Sequence, residues 1–376
     1  MAKHCLIVSP IPSHPPFQGN SARIFRFGRC LQALGYRVHF FYYPLEGLSD
    51  RQRRQMSEAW DHFYSIPCDL PNTKRSLGDH YAIDDWYDPR AGELVAELHR
   101  RWRYQAVVVN YVWFSAVLEA LPNDVLKLID THDVFGDRHL RAIEAGMRPE
   151  WFYTSIAEEA RGLRRADIVV AIQDQEQRYF ESLGLARVET IGFIAPERTV
   201  PARRREKPAV GYIGSGNPWN VHAFRSLVRA LGARPELAER AEFVAAGPIC
   251  DQVKDDPGPF RLLGILDKVE EFYAAVDIAL NPMIGGTGLK IKTLEALAFG
   301  KGVLSTRDGF VGIPTTEPAH TLDSVDALCA QLAHVLEFPN RMAALQVATR
   351  EVFRRYQRRA VEAFVNIFGT TPVSGS

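Results

Sequence analysis

The chain has 376 residues, 46% hydrophobic and 24% charged, with 45 Lys+Arg against 45 Asp+Glu and a formal net charge of +0. That length suffices for two domains with separate cores, and the balanced charge excludes global steering toward nucleic acid or another polyanion. Five scattered cysteines (Cys5, Cys30, Cys68, Cys250 and Cys329) form no C-x-x-C pair, and no apolar run approaches the ~18 residues of a membrane span, so a reduced, soluble, cytoplasmic protein is expected.

Strand-length apolar runs alternate with segments of helical period, a pattern that predicts α/β architecture with parallel sheets. In the first half they fall at residues 5–9, 37–42, 106–110, 126–130, 168–172 and 188–191. After the first strand, Gly19-Asn20-Ser21 precedes a helix expected over 22–34. Asn20 or Ser21 is either a simple N-cap or part of a glycine loop for an anion, and Arg23 in the first turn opposes the helix dipole. The strand at 126–130 runs into Thr131-His132-Asp133, a polar cluster where the ligand crevice of such a sheet opens. The spacing of His132, Asp133 and Asp137 fits no common closed metal site, and no metal is assigned.

Residues 194–208, with three prolines and a basic cluster, read as an interdomain linker. The strand pattern then restarts at 209–213, 242–246, 260–263, 277–281 and 302–305. Gly214, Ser215 and Gly216 follow the first of these, ahead of a helix expected near Val221, and Gly264-Ile265 follow the third. The predicted domains are 1–202, 203–345 and a final helix and tail at 346–376.

The densest signal is residues 285–306, GGTGLKIKTLEALAFGKGVLST. Gly285, Gly286 and Gly288 allow tight turns and close approach of a ligand just before a helix whose unpaired N–H groups attract anions. Thr287 and Leu289 lie in the same turn. Lys290 and Lys292 place positive charge where the dipole is already positive, which disfavours the helix unless an anion is bound. Glu295 lies about one turn on, suited to accept hydrogen bonds from vicinal ribose hydroxyls. A diphosphate followed by a ribose describes a nucleotide sugar.

This run resembles the donor signature of retaining GT-B glycosyltransferases, particularly family 4, in which a glycine loop, a basic residue and the glutamate of an L-E-A-[ML]-A segment contact the donor. The segment at 211–220 is similar to the opening of that family's donor domain, and 262–267 to the turn whose backbone meets the nucleobase. Thr131-His132-Asp133 resembles the family's T-H-D segment. The resemblance implies two Rossmann-like domains facing across a cleft, with a last helix, at about 341–368, crossing back to the first. His132, Lys290 and Lys292 are then the catalytic candidates. Gly19, Arg23, Gly214, Ser215, Gly264, Ile265, Thr287, Gly288, Leu289 and Glu295 are the candidates for donor binding.

The resemblance also implies transfer from a UDP- or GDP-sugar with retention, without metal or other cofactor, to a saccharide or lipid-linked acceptor. Many relatives carry two glutamates in the donor run, and the first falls here at Thr287, which leaves the sugar open. Arginine clusters and several tryptophans leave room for peripheral contact with acidic lipid. Two alternatives use the same fold: a UDP-sugar epimerase, which needs acid and base groups that the second half does not supply beyond Glu295, and a noncatalytic nucleotide-sugar-binding protein, which does not need Lys290 and Lys292. A nicotinamide dehydrogenase is disfavoured, because residues 5–20 lack G-x-G-x-x-G.

Overall fold

Every strand pair in the computed structural model is parallel. The structure describes all residues except 1, 17–18, 70–74, 145, 147, 202–204, 286–287 and 370–376. The first sheet contains β1 (Lys3–Ser9), β2 (Tyr36–Tyr42), β3 (His62–Ser65), β4 (Ala106–Asn110), β5 (Leu126–Asp130), β6 (Ile168–Ala171) and β7 (Val188–Thr190). Its order is β3-β2-β1-β4-β5-β6-β7. The second contains β8 (Ala209–Ile213), β9 (Glu242–Ala246), β10 (Phe260–Leu262), β11 (Ile278–Asn281) and β12 (Gly302–Ser305), in the order β10-β9-β8-β11-β12.

In both sheets the chain starts at the centre, builds outward on one side and then crosses to the other. The order reverses between β1 and β4 in the first and between β8 and β11 in the second. Crevices for ligands form at such reversals, beyond the carboxyl ends of the strands. Asn110 and Asp130 end β4 and β5 in the first sheet, and Ile213 and Asn281 end β8 and β11 in the second.

Burial on both faces explains why the strands read as unbroken apolar runs rather than alternations. All five residues of β4 are buried, as are all four of β11. The first core stacks Leu6, Ile7, Val8, Val107, Val108 and Val109 with the aromatic groups of Phe40, Phe41 and Trp113. The second centres on Tyr212, Phe224, Phe243, Leu280 and Leu304. The chain divides into two compact units, Met1–Ile194 with Arg359–Ser376, and Ala195–Arg358. The last helix, Pro339–Phe368, thus gives its final residues to the first unit, where Phe364 packs edge-on against Phe27 at 4.9 Å and Tyr36 donates to the Phe368 carbonyl at 3.0 Å.

Three expectations about elements need correction. β3 was not expected: its sequence HFYS is short and only half-buried, and it pairs at the sheet edge with β2, where the His62 ring lies tilted against that of Trp102 with centroids 4.5 Å apart. The first helix starts at Gly19 rather than residue 22, and Asn20 lies inside it, its side chain accepting from the Ser21 N–H at 2.8 Å. The helix after β8 begins at Pro218, capped by Asn217, because a proline at the first helical position needs no N–H acceptor.

Candidate functional site

The helix Ile291–Ala298 follows β11, and among the described residues no side chain caps its N-terminus. Lys290 occupies the cap position and Lys292 the first turn, so the positive end of the dipole carries ammonium groups instead of the acidic residues that ordinarily stabilise it. Before it, Gly285 and Gly288 adopt φ of 76° and 77°. A Cβ on Gly285 would also come within 2.8 Å of the Trp219 ring, so this turn admits only glycine. The Asp308 carboxylate fixes the turn by accepting from the Gly285 N–H at 2.6 Å. Thr287 lies outside the described residues, and Leu289 is half-buried beside it.

Lys290 donates to the Gly288 carbonyl at 3.0 Å. Lys292 lies deeper. Its ammonium donates to Asn220 Oδ1 at 2.7 Å and sits 4.7 Å over the Tyr212 ring. Burial, with Lys290 adding to it, pushes the Lys292 ammonium down to about 7. Asn220 in turn donates to Ser215 Oγ at 2.9 Å, so the loop after β8 and the helix start after β11 are joined through one ammonium group.

Glu295 is half-buried one turn into the same helix. Among the described residues its carboxylate has no hydrogen-bond or ion-pair partner. Burial pushes it up to about 7, with Arg198 opposing and Glu270 adding. A half-buried carboxylate without a described protein donor is open to hydroxyl groups of a ligand.

Two further turns stack beside the loop after β8. The Gly247 N–H donates to the Gly264 carbonyl at 2.8 Å, the Ile249 N–H donates to the Gly214 carbonyl at 3.1 Å, and a Cβ on Gly247 would come within 2.5 Å of the Gly214 oxygen. Glycines therefore let the chain ends after β8, β9 and β10 lie against one another. Next to Gly264, Ile265 is 70% exposed. The structure thus groups Gly214, Ser215, Gly264, Ile265, Gly288, Leu289, Lys290, Lys292 and Glu295 in the second unit, on loops and helix starts that follow its strands. Asn220, Tyr212, Trp219 and Asp308 join them and were not among the candidates. Asn220 alone had a local signal, at the end of the glycine-turn motif.

The first unit holds the remaining candidates. Arg23, expected near a donor phosphate, makes a buried bidentate pair with Asp130 at the end of β5, Nη2 to Oδ1 2.6 Å and Nε to Oδ2 2.8 Å, and also donates to the Gly192 carbonyl at 3.2 Å. The side chains of Arg23 and Asp130 are 3% and 1% exposed, so this guanidinium serves Asp130. Gly19 opens the same helix.

His132 takes the left-handed conformation, φ 61°, and its ring stacks on Tyr111 at 4.3 Å. Asn110 donates through Nδ2 to the Val8 carbonyl, which turns Oδ1 toward His132 Nε2 at 2.8 Å. The imidazole therefore carries its proton on Nε2, and Nδ1 is an acceptor. Burial pushes His132 down to about 4, Asp130 opposing and Arg23 adding, so the ring is neutral near pH 7. The loop that follows is anchored by Glu159, which accepts from Phe135 N–H at 2.7 Å and Gly136 N–H at 3.0 Å.

Family models match both units: "Glycosyl transferase 4-like domain" over residues 18–193 and "Glycosyl transferases group 1" over 207–338. The chain belongs to the group 1 glycosyltransferases. No curated protein matches it in sequence. Solved structures of other glycosyltransferases share the GT-B fold over nearly its whole length. Sucrose-phosphate synthase from Thermosynechococcus elongatus has a TM-score of 0.69 at 18% identity, over 98% of this chain and 97% of that one. HepE from Anabaena, in complex with UDP and glucose, has a TM-score of 0.67 at 12% identity, covering 98% and 100%. A variant of TarM from S. aureus, in complex with Fondaparinux, alpha-GlcNAc-glycerol and UDP, has a TM-score of 0.66 at 8% identity, covering 98% and 100%. No described helix of this glycosyltransferase is long and apolar enough to cross a membrane.

The buried pair in the first unit has a measurable consequence. Arg23→Met leaves Asp130 charged and unpaired, and is expected to lower unfolding stability by about 3–5 kcal/mol. It also removes the cation that helps hold His132 neutral, so an NMR titration of the variant should move the His132 midpoint upward from that of the native protein. A stable variant with an unmoved midpoint would contradict this geometry.

Proposed function

We propose that the protein transfers a glycosyl group from a nucleoside-diphosphate sugar, UDP- or GDP-linked, to a saccharide or lipid-linked acceptor. The observation that carries this reading is a helix start that, among the described residues, has Lys290 and Lys292 but no side-chain cap, ahead of a Glu295 carboxylate without a described partner. Two relatives in fold were solved as complexes, HepE with UDP and glucose and with UDP-glucose, and the TarM variant with UDP beside saccharide ligands, which supports the same donor class here.

In this reading the diphosphate lies on the N–H groups of the helix start, with Lys290 and Lys292 as its cations. The turns at Gly214, Ser215 and Gly264 give further backbone donors, Ile265 packs under the base, and Glu295 accepts from the ribose hydroxyls. The helix N-terminus and the two ammonium groups act most strongly when the anomeric bond breaks, because negative charge then builds on the diphosphate oxygen. No divalent ion or cofactor is needed for that charge.

Neutral His132 accepts through Nδ1 from a hydroxyl of the transferred sugar or the acceptor. Arg23, through Asp130, positions the ring rather than the phosphates. Retention of configuration follows from the family resemblance. A saccharide acceptor fits the saccharide ligands of the TarM variant, and contact with membrane lipid remains part of the proposal through the arginine clusters.

Binding and turnover separate the roles. UDP or GDP is expected to raise the melting temperature in magnesium-free buffer. Glu295→Ala should weaken binding roughly 10–100-fold, the share of one or two hydrogen bonds to a charged group. Lys290→Ala should cut turnover about 100–1,000-fold, the scale of one lost electrostatic contact to the leaving group. Normal UDP affinity in Glu295→Ala together with normal turnover in Lys290→Ala would refute the assignment.

The paired titrations near neutrality give a second test. Nucleotide binding needs Glu295 ionised and Lys292 protonated, and both ligand-free groups stand at about 7. Affinity should therefore peak near pH 7, falling below it as Glu295 takes a proton and above it as Lys292 loses one. Because a bound phosphate raises the lysine, binding above the peak should take up protons, visible as a buffer-dependent calorimetric enthalpy. Constant affinity between about pH 6 and 8, with no proton exchange, would exclude this pairing.

A further inference from the structure

Away from these residues, the first unit gathers Asp79, His80 and His139. One ligand atom from each lies within 4.8 Å of the others, and among the described residues no other three His, Cys, Asp or Glu side chains are so placed. Adjacent Asp79 and His80 lie about 60 positions from His139, and backbone ties hold the two stretches together. Leu77 and His80 form an antiparallel bridge, the Tyr81 N–H donates to the Tyr153 carbonyl at 3.1 Å, and Thr154 donates through its hydroxyl to the Tyr81 carbonyl at 2.6 Å. Thr154 in turn accepts from the Asp137 N–H at 2.8 Å, just before the helix Arg138–Glu144 that carries His139.

His139 supplies an independent observation. It is 5% exposed, and its Nδ1 is buried with no hydrogen-bond partner among the described residues. A polar nitrogen left this way is destabilising unless a ligand satisfies it. His80 stacks on His139 with centroids 6.0 Å apart, and Tyr153 stacks on it at 4.9 Å. Asp79 accepts from His80 Nδ1 at 2.7 Å.

We propose that Asp79, His80 and His139 bind a divalent transition-metal ion of the zinc type. Two imidazoles and a carboxylate suit zinc, nickel or copper, whereas magnesium and calcium prefer oxygen donors alone. Tetrahedral zinc, ~2.0–2.2 Å from each donor, wants donors roughly 3.4 Å apart, so the ligands must draw together by about an ångström. Asp79 is exposed and His80 half-buried, so both can swing toward the enclosed His139. The ion would tie the turn at 77–81 to the helix that directly follows the His132 loop. Its part is to brace that loop; the departing diphosphate is served by other groups.

The test is a zinc titration of metal-stripped, reduced protein against a chromophoric chelator. One equivalent should bind with micromolar or tighter affinity, raise the melting temperature and leave magnesium without effect. Asp79→Asn and His80→Gln, on the accessible side, should each weaken binding at least about tenfold, and His139→Ala about 100-fold. The proposal is overturned if the native protein binds no zinc under these conditions, or if it binds with the same affinity in Asp79→Asn and His80→Gln, which would place the metal on other histidines or cysteines.

Discussion

A helix that begins with lysines and, among the described residues, no capping side chain is the constraint on which the rest turns. Most helix starts satisfy their orphan N–H groups with a side-chain oxygen and favour acidic residues nearby. The neighbouring helix Pro218–Gly232 does so, with Asn217 accepting from the Asn220 N–H. Ile291–Ala298 has Lys290 at the cap and Lys292 in the first turn. Left without a ligand, that start is electrostatically unfavourable, and the surrounding fold must hold it in place. Asn220 and the Tyr212 ring restrain Lys292, Asp308 fixes the glycine turn, and Thr293 donates to the Gly309 carbonyl. The strain is offset locally, which holds the helix start ready for the anion proposed to bind there.

The first unit follows the opposite logic. Its polar groups at the ends of β4 and β5 satisfy one another: Arg23 with Asp130, Asn110 with His132, and Glu159 with the Phe135 and Gly136 N–H groups. The product of this network is a neutral imidazole in a fixed tautomer. A charged histidine would attract phosphate indiscriminately, whereas a neutral one recognises hydroxyls. The second unit presents cations and amide hydrogens, and the first presents a hydrogen-bond acceptor.

Much of this was legible in sequence because burial on both faces turns strands into unmistakable apolar runs. β4 and β5, and β8, β9 and β12, have the predicted bounds. The run at 285–306 stood out as a candidate because glycine, lysine and glutamate lie within a dozen residues and each has a local physical reason. What escaped lacks such locality. β3 is a short edge strand whose His62 ring lies tilted against Trp102 from another element. The partner of Arg23 lies 107 positions away, so a basic residue in a first helical turn looked like a free cation. Asn220 gains its role only when the turn after β8 meets Lys292. Asp79, His80 and His139 are joined by loop pairings that carry no signature in their own stretches of chain.

The most direct measurement is a crystal structure of the protein with UDP bound. The account predicts diphosphate oxygens within about 2.7–3.2 Å of the Ile291 or Lys292 N–H groups and of the Lys290 ammonium, with both ribose hydroxyls donating to Glu295. A nucleotide seated elsewhere, with Lys290 solvated and Glu295 still without a partner, would contradict it.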